Sequence, residues 1–369
     1  MKIAFVSDTH FGYPRYEADA SAQGRAAVLD ACSKADVLVL GGDIFDHRVP
    51  RLETLGEVAN LLQEAQKVLR AKWKGAADAP LVLGIHGTHE RRAKDALNPI
   101  AMMAQLGLMA DLHNQTTVIE NGGEKVAFSG LGGIPDDLVK EALGRLSCKP
   151  AEGAANFFVF HQTMREFVPA APNLASLEDL PPGYDWYLCG HLHAKQEWLG
   201  GRLLIPGSTV MTQMKEEESQ PKGYYLIDTK DKKSEFVAIR TRPFAVSELA
   251  FDKAQPADVR KKVEEEIRRL LAQKWDGKPI LRIRLSGSLA PAAGDLDLGG
   301  LDREEAFITI DNHIDGGSLA ADLEKLKEER MHRATPRELG LSLLRQNAQA
   351  AGLDPKKAEA YFEEFSKEE

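Results

Sequence analysis

The sequence predicts an α/β protein in which two packed sheets carry flanking helices. Short apolar runs near the start (IAFVS, VLVLGG, LVLGIHG) alternate with stretches of helical spacing such as Ala26 to Cys32 and Leu55 to Val68, the pattern of strands followed by helices. Later runs (VAFSGLGG, NFFVFH, WYLCGH, LLIPGS, GYYLID) crowd together with little helix between them, which favours two stacked sheets over one doubly wound sheet. After Arg242-Pro243 the pattern starts afresh. Pro256 to Lys274 has helical spacing with Val259, Val263, Ile267, Leu270 and Leu271 on one side, and KPILRIRL and AFITI follow as strands, giving a small second α/β domain.

The 369 residues allow two or three units, the first large enough to bury a substantial core. The expected domains are 1–242, 243–315 and a charged helical region 316–369 after the Gly316-Gly317 break. There Thr335 as N-cap, Pro336 at the first position and Glu338 completing a capping box start a helix with Leu339, Leu343 and Leu344 on one face; Gly352 closes it. Asp354-Pro355 opens another, whose Tyr361, Phe362 and Phe365 form an apolar stripe. So short a pair buries little alone, and the stripe docks either on a partner or on its own chain.

Hydrophobic content of 43% and charged content of 28% are ordinary for a folded globular chain. MKIAFVSDTH passes straight into a strand pattern, and no run approaches membrane-spanning length, so a cytoplasmic location without membrane association is expected. Cys32, Cys148 and Cys189 lack CxxC spacing and read as buried thiols rather than a disulfide framework or zinc knuckle. The net charge of −9 argues against a general polyanion-binding coat but leaves local basic loops available.

The chemistry sits in five blocks, DTH, GDIFD, GTHE, FH and GHLH, each at the end of an apolar run. Asp8 and His10 stand two apart, so an extended segment lets both side chains leave from one face. Asp43 follows glycines that let the backbone turn at a strand's carboxyl end, where open α/β sheets place their sites. His89 and Glu90, His161, and His191 with His193 repeat the placement. One block alone reads as a turn aspartate or a surface histidine; five of the ten histidines and two aspartates at strand ends do not. Imidazole mixed with carboxylate suits manganese, iron or zinc. Two such ions about 3.5–4 Å apart share a carboxylate, generate hydroxide near neutral pH and clamp a phosphoryl centre, so phosphate-ester hydrolysis is the expected chemistry. GxxxxGK[ST] is absent, and SGLGGIPDD lacks the spacing of a dinucleotide fingerprint.

In this order, within residues 1–242, the blocks resemble the calcineurin-like metallophosphoesterase superfamily, whose pattern runs DxH, GDxx[DH], GN[HD][DE], an isolated histidine and GHxH. The resemblance implies a two-sheet αββα sandwich with a small α/β capping domain and C-terminal helices. It implies that Asp8, His10, Asp43 and His193 hold one ion, and that Asp43, Thr88, His161 and His191 hold the other, with Asp43 bridging. His89 is then the acid that protonates the leaving oxygen or steadies the transition state. Thr88 departs from the pattern: it stands where asparagine is usual, so an amide oxygen becomes a shorter hydroxyl and the second ion's affinity is at issue. His86 matches no ligand position and is given a structural role; His47, His113, His313 and His332 are read as non-ligands.

Within the superfamily the likeness is nearest to the SbcD and Mre-eleven nucleases of DNA double-strand-break repair, on IPGSTVMT followed by KGYYLID, the junction IRTRPF and the module reaching KPILRIRLSGSL. That implies a DNA nuclease with two Mn2+ per chain, acting as 3′ to 5′ exonuclease and single-strand endonuclease, with the capping domain positioning DNA. It also implies a homodimer through two core helices, for which Leu52 to Leu69 and Asn98 to Met109 are candidates unless their stripes face the chain's own sheet. The C-terminal helices would bind the coiled-coil base of an SbcC/Rad-fifty-type ATPase. Candidate DNA contacts lie in the loops leaving the blocks: Tyr13, Arg15, Arg48, Arg51, Arg91, Arg92 and Lys94, holding phosphates without reading bases. Two other readings stand beside this one. A phosphatase or phosphodiesterase acting on a non-DNA ester needs no module after 243, and a non-catalytic scaffold is favoured by Thr88 alone.

Overall fold

The computed structural model describes residues 1–73, 80–92, 96–168, 174–213, 220–290 and 295–315, with 341, 344–345, 347–349 and 354–358 beyond them. Two compact units are present, Met1–Arg242 and Pro243–Glu369. The first opens with strand β1 (Lys2–Val6), helix α1 (Glu17–Lys34), β2 (Val37–Leu40), α2 (Leu52–Arg70), β3 (Val82–Gly84), α3 (Pro99–Gln105) and β4 (Ala110–Asp111). It continues through β5 (Thr116–Asn121), β6 (Glu124–Leu131), α4 (Val139–Gly144), β7 (Ala155–Phe160) and β8 (Trp186–Cys189). Last come β9 (Gln196–Trp198), β10 (Leu203–Ile205), β11 (Gly223–Asp228) and β12 (Lys233–Ala238).

These strands form two six-stranded sheets, ordered β12-β11-β1-β2-β3-β4 and β5-β6-β7-β8-β10-β9. The central strands β1, β2, β3, β7 and β8 are covered on both faces, which explains why their runs are mostly apolar rather than alternating. In β7, Phe157 and Val159 enter the core shared with Phe5, Val39 and Tyr225 of the other sheet. Phe158 and Phe160 point the other way, onto Val139 and Leu143 of α4. The far face of the first sheet is covered by Ala27, Val28 and Ala31 of α1 and by Val58, Leu61, Leu62 and Ala65 of α2. Helix, sheet, sheet and helix thus stack as the αββα sandwich expected from the sequence.

Helix α1 starts nine residues before the periodic stretch at Ala26, because its early buried face uses Ala20, Gln23 and Gly24, which carry little apolar signal. Gly24 lets the Phe11 ring lie against the helix: an added Cβ would fall 2.9 Å from Phe11 Cζ. The stripe of α2 faces its own sheet, while Leu52 (81% exposed) and, just past α3, Leu106 (63%) remain in solvent. Cys32 and Cys189 are buried as expected, but Cys148 is only half-buried, in the loop between α4 and β7 where one side of the chain meets water.

The second unit pairs β13 (Phe244–Ala254), β14 (Ile280–Leu289) and β15 (Phe307–Asp315) in parallel, with α5 (Pro256–Leu271) crossing between the first two. Val259, Val263, Ile267 and Leu270 of α5 close a separate core with Leu281, Ile283 and Leu285. The helix stops at Leu271 rather than Lys274, where Trp275 turns back to donate its indole N–H to Leu270 O at 2.8 Å. Helical turns occur at residues 341, 344–345, 347–349 and 355–358, which include Leu344 and Pro355. The expected helix signals at Thr335, Pro336, Glu338, Leu339, Leu343, Gly352, Tyr361, Phe362 and Phe365, the Gly316-Gly317 break, His332 and Lys94 lie outside the described residues. Among the described residues no helix is long and apolar enough to cross a membrane.

Candidate metal centre

The parallel strands β1, β2 and β3 of one sheet and β7 and β8 of the other end on the same side, and each delivers one block. After β1 come Asp8 and His10, after β2 Asp43, after β3 Thr88 and His89, after β7 His161, and after β8 His191 and His193. The expectation that Asp8 and His10 share a face of an extended segment is corrected. Their φ angles are 53° and 48°, and Asp43 and His191 are left-handed too, at 46° and 80°. Side chains rarely adopt this backbone, and it persists where surrounding bonds over-determine it. Here Asp8 N–H donates to Gly42 O at 3.0 Å, His10 N–H to Asp43 O at 3.0 Å and Phe11 N–H to Ile44 O at 2.8 Å, so two loops are stitched together rung by rung.

The loops bring ligand-type atoms into three groups, each spanning at most 4.8 Å: Asp8, His10 and His193; Asp43, His161 and His191; and His10, Asp46 and His89. The outer hydrogen bonds decide which nitrogen of each imidazole faces inward. His10 gives Nδ1 to Asp46 Oδ1 at 3.0 Å, and Thr212 meets His193 Nδ1, so the two Nε2 atoms face each other at 3.2 Å. His161 Nδ1 donates to Gly41 O at 2.7 Å. Its Nε2 is buried without a hydrogen-bond partner, 3.1 Å from Asp43 Oδ2. Two lone pairs at that separation repel unless a proton or a metal cation lies between them, and a neutral imidazole beside a carboxylate is a donor set that fits a metal ion.

The electrostatics agree. Burial opposes charge on His161, yet the carboxylates of Asp43 and Asp8 push its pKa up to about 9, marking the spot as one that draws positive charge. Burial opposes charge on Asp43 as well, but His161 and His10 hold its carboxyl well below the usual range. Burial and the neighbouring His161 pull His191 down to about 4, which leaves its ring neutral and able to ligate at neutral pH. His89 is nearly half exposed, and its Nδ1 donates to Asp46 O at 2.8 Å, which leaves Nε2 directed away from that carbonyl as the exchangeable position.

Two residues that the sequence reading did not single out, Asp46 and Lys222, hold this arrangement together with Glu90, which it named beside His89. Asp46, inside GDIFD, contacts both His10 and His89. Glu90 is fully buried and accepts N–H bonds from Phe45 at 2.8 Å and Gly87 at 2.7 Å, clamping the Asp43 loop to the Thr88 loop. Burial, with Asp43 nearby, pushes its pKa up to about 8. Lys222, also buried, donates to His193 O at 2.8 Å and Ser208 Oγ at 2.9 Å. Asp46 and Glu90 were visible as members of blocks, and Lys222 only as the first residue of KGYYLID, which does not show that it holds the His193 loop. Thr88 Oγ donates to Asp43 Oδ2 at 3.2 Å. Of the other histidines, His86 and His113 lie against each other, ring centres 4.8 Å apart and planes tilted by 52°, and His47 and His313 are exposed.

The basic loop residues are scattered around this mouth. Arg48, Arg15 and Arg92 are exposed, Arg91 is half-buried, Arg51 is paired with Glu17, and Tyr13 donates to Thr212 O at 2.7 Å.

A model of the calcineurin-like phosphoesterase family matches residues 1–195, more than half of the sequence. The chain belongs to the calcineurin-like phosphoesterase family. As a metallophosphoesterase it is similar to proteins named for DNA repair. The DNA double-strand break repair protein Mre11 of Methanopyrus kandleri is 27% identical over 256 residues, covering 62% of this chain and 54% of that one. The double-strand break repair protein mre-11 of Caenorhabditis elegans is 26% identical over 315 residues, covering 69% and 43%. The Mre11 protein of Sulfolobus acidocaldarius is 25% identical over 311 residues, covering 78% and 76%. The chain spans about half the length of the first two of these relatives.

Proposed function

We propose that this metallophosphoesterase is a manganese-dependent DNA nuclease, a 3′ to 5′ exonuclease and single-strand endonuclease acting at double-strand breaks. The observation that carries the chemistry is the meeting of Asp8, His10 and His193 with Asp43, His161 and His191 around one mouth, beside His89. Asp8, His10, His193 and Asp43 would hold one ion, and Asp43, His161 and His191, with Thr88 beside them, the other. When bound, the ions supply Lewis acidity and a hydroxide near neutral pH.

The chain's own groups do the rest. His89, oriented through Nδ1 by Asp46 O, holds a proton at Nε2 for the leaving oxygen. Exposed arginines Arg15, Arg48 and Arg92 hold backbone phosphates without reading bases, with Tyr13, Arg51, Arg91 and Lys94 as further contacts; Arg51 gives up its pairing with Glu17 to do so. DNA as substrate is supported by the repair proteins to which the chain is similar. The second α/β unit, proposed as the DNA-capping domain over 243–315, is one that a small-ester phosphatase does not need. Exposed Leu52 and Leu106 offer an apolar face to a second copy of the chain, and the helices within 316–369 are the proposed seat of an SbcC/Rad-fifty-type ATPase.

Purified protein with Mn2+ is expected to degrade linear DNA, and His89→Gln to slow it by about 10²–10⁴-fold with ion binding retained. Turnover of a small phosphodiester but not of DNA would sink the nuclease reading. Loss of ATPase co-purification on deletion from Thr335 checks the partner.

A further inference from the structure

The two ion positions are not built alike. In the first, His10 and His193 are each fixed through Nδ1 by an outer partner, Asp46 and Thr212. The Asp8 carboxylate is fixed by the His191 N–H at 3.1 Å and the Ser7 hydroxyl. In the second, His161 is fixed by Gly41 O, but the His191 imidazole has no hydrogen-bond partner among the described residues. Outer partners of this kind are worth about 10–100-fold in metal affinity.

Thr88 adds to the asymmetry. Its hydroxyl proton is directed at Asp43 Oδ2, and the His89 N–H takes Asp43 Oδ1 at 2.8 Å. A carboxylate offers about four lone-pair sites, so two donors already occupy half of what Asp43 can give. Thr88 itself brings a neutral hydroxyl on a short side chain. The second position therefore has three strong donor groups, one of them shared, where the first has three of its own plus access to the shared one.

We propose that Thr88 acts as a hydrogen-bond donor to Asp43 rather than as a metal ligand, and that a phosphate oxygen of the substrate completes the second ion position. The inference rests on the two-metal reading above. Ion and phosphate then strengthen each other by the same factor, as linkage requires, and the resting protein holds one ion tightly until substrate brings in the second.

The test is calorimetric titration of the metal-free full chain with MnCl2, with and without inorganic phosphate, followed by the electron-spin-resonance signal that distinguishes single from paired Mn2+. The wild type is expected to bind one ion tightly and a second at least about tenfold more weakly, with phosphate strengthening only the second and bringing up the paired signal. Thr88→Val is expected to leave the second affinity within about threefold of wild type, since no ligand is lost. Thr88→Asn, which restores an amide oxygen, is expected to bind two ions without phosphate. Two equally tight ions in the wild type, no effect of phosphate, or loss of the second ion in Thr88→Val would each overturn the inference while leaving the two-metal reading intact. Failure to bind any ion would overturn both.

Discussion

Asp46 touches His10 and His89 at once, its carboxylate orienting a proposed ligand and its backbone carbonyl the proposed acid. Asp46→Ala is expected to lower Mn2+ affinity by about 10–100-fold, and Asp46→Asn by less because the acceptor survives; calorimetry reads both, and unchanged affinity would remove Asp46 from the centre. Its chemistry was illegible because a block such as GDIFD does not say which aspartate faces the ion and which faces the histidine behind it. The residues that meet here were legible, since imidazoles and carboxylates ending apolar runs have few other uses, but the left-handed backbone at Asp8, His10, Asp43 and His191 was not. His113 gives a pH signature away from the proposed ions. Its Nδ1 accepts the Gly132 N–H at 3.0 Å, and burial holds its pKa below the ordinary value. As pH falls through about 6.5 the unfolded chain takes up a proton that the folded one refuses, so stability is full above that pH and declines below it. His86, held near 4 by burial and by His113, adds to the same slope. Denaturation midpoints from about pH 7 to about pH 5 should fall more gently for His113→Gln, which keeps an acceptor but cannot ionise.

The loops can stitch together only because glycine lies at their crossings. A Cβ on Gly87 would sit 2.1 Å from Asp43 Oδ1 and 2.4 Å from Asp43 N, and one on Gly190 would sit 2.3 Å from Gly41 O. Gly87→Ala must push the β2 and β3 loops apart. The expected result is a loss of about 1–3 kcal/mol of stability, with far-ultraviolet circular dichroism unchanged and ion binding largely lost; retained ion binding would show that the crossing tolerates separation. At this scale the sequence was readable wherever both faces of a strand are covered, as in Phe157 to Phe160 of β7, whose continuous apolar run has no solvent side. It was less readable in α1, whose buried face relies on small side chains at Ala20, Gly24, Ala27 and Ala31, and in α2, whose stripe at Val58, Leu61 and Leu62 fitted a partner as well as its own sheet.

Across the whole molecule, the proposed ions would add to the hydrogen bonds of His161 with Gly41 and of His191 with Asp8 in tying the two sheets together at their carboxyl ends. Asp8, His10 and Asp43 leave β1 and β2 of one sheet, while His161, His191 and His193 leave β7 and β8 of the other. An ion shared between the sheets must be released before they separate, so binding adds to the stability of the first unit by mass action, about 2.7 kcal/mol at a free concentration a hundred times the dissociation constant. The second unit closes its own core among α5, β14 and β15 and contributes none of these groups. Addition of Mn2+ to the chelator-treated chain should therefore raise the unfolding temperature of one transition only. Amide exchange should slow in β1, β2, β7 and β8 and stay unchanged in β13, β14 and β15. Equal protection of both units would mean that the ions act elsewhere, and no protection in β7 and β8 would mean that His161, His191 and His193 do not hold them.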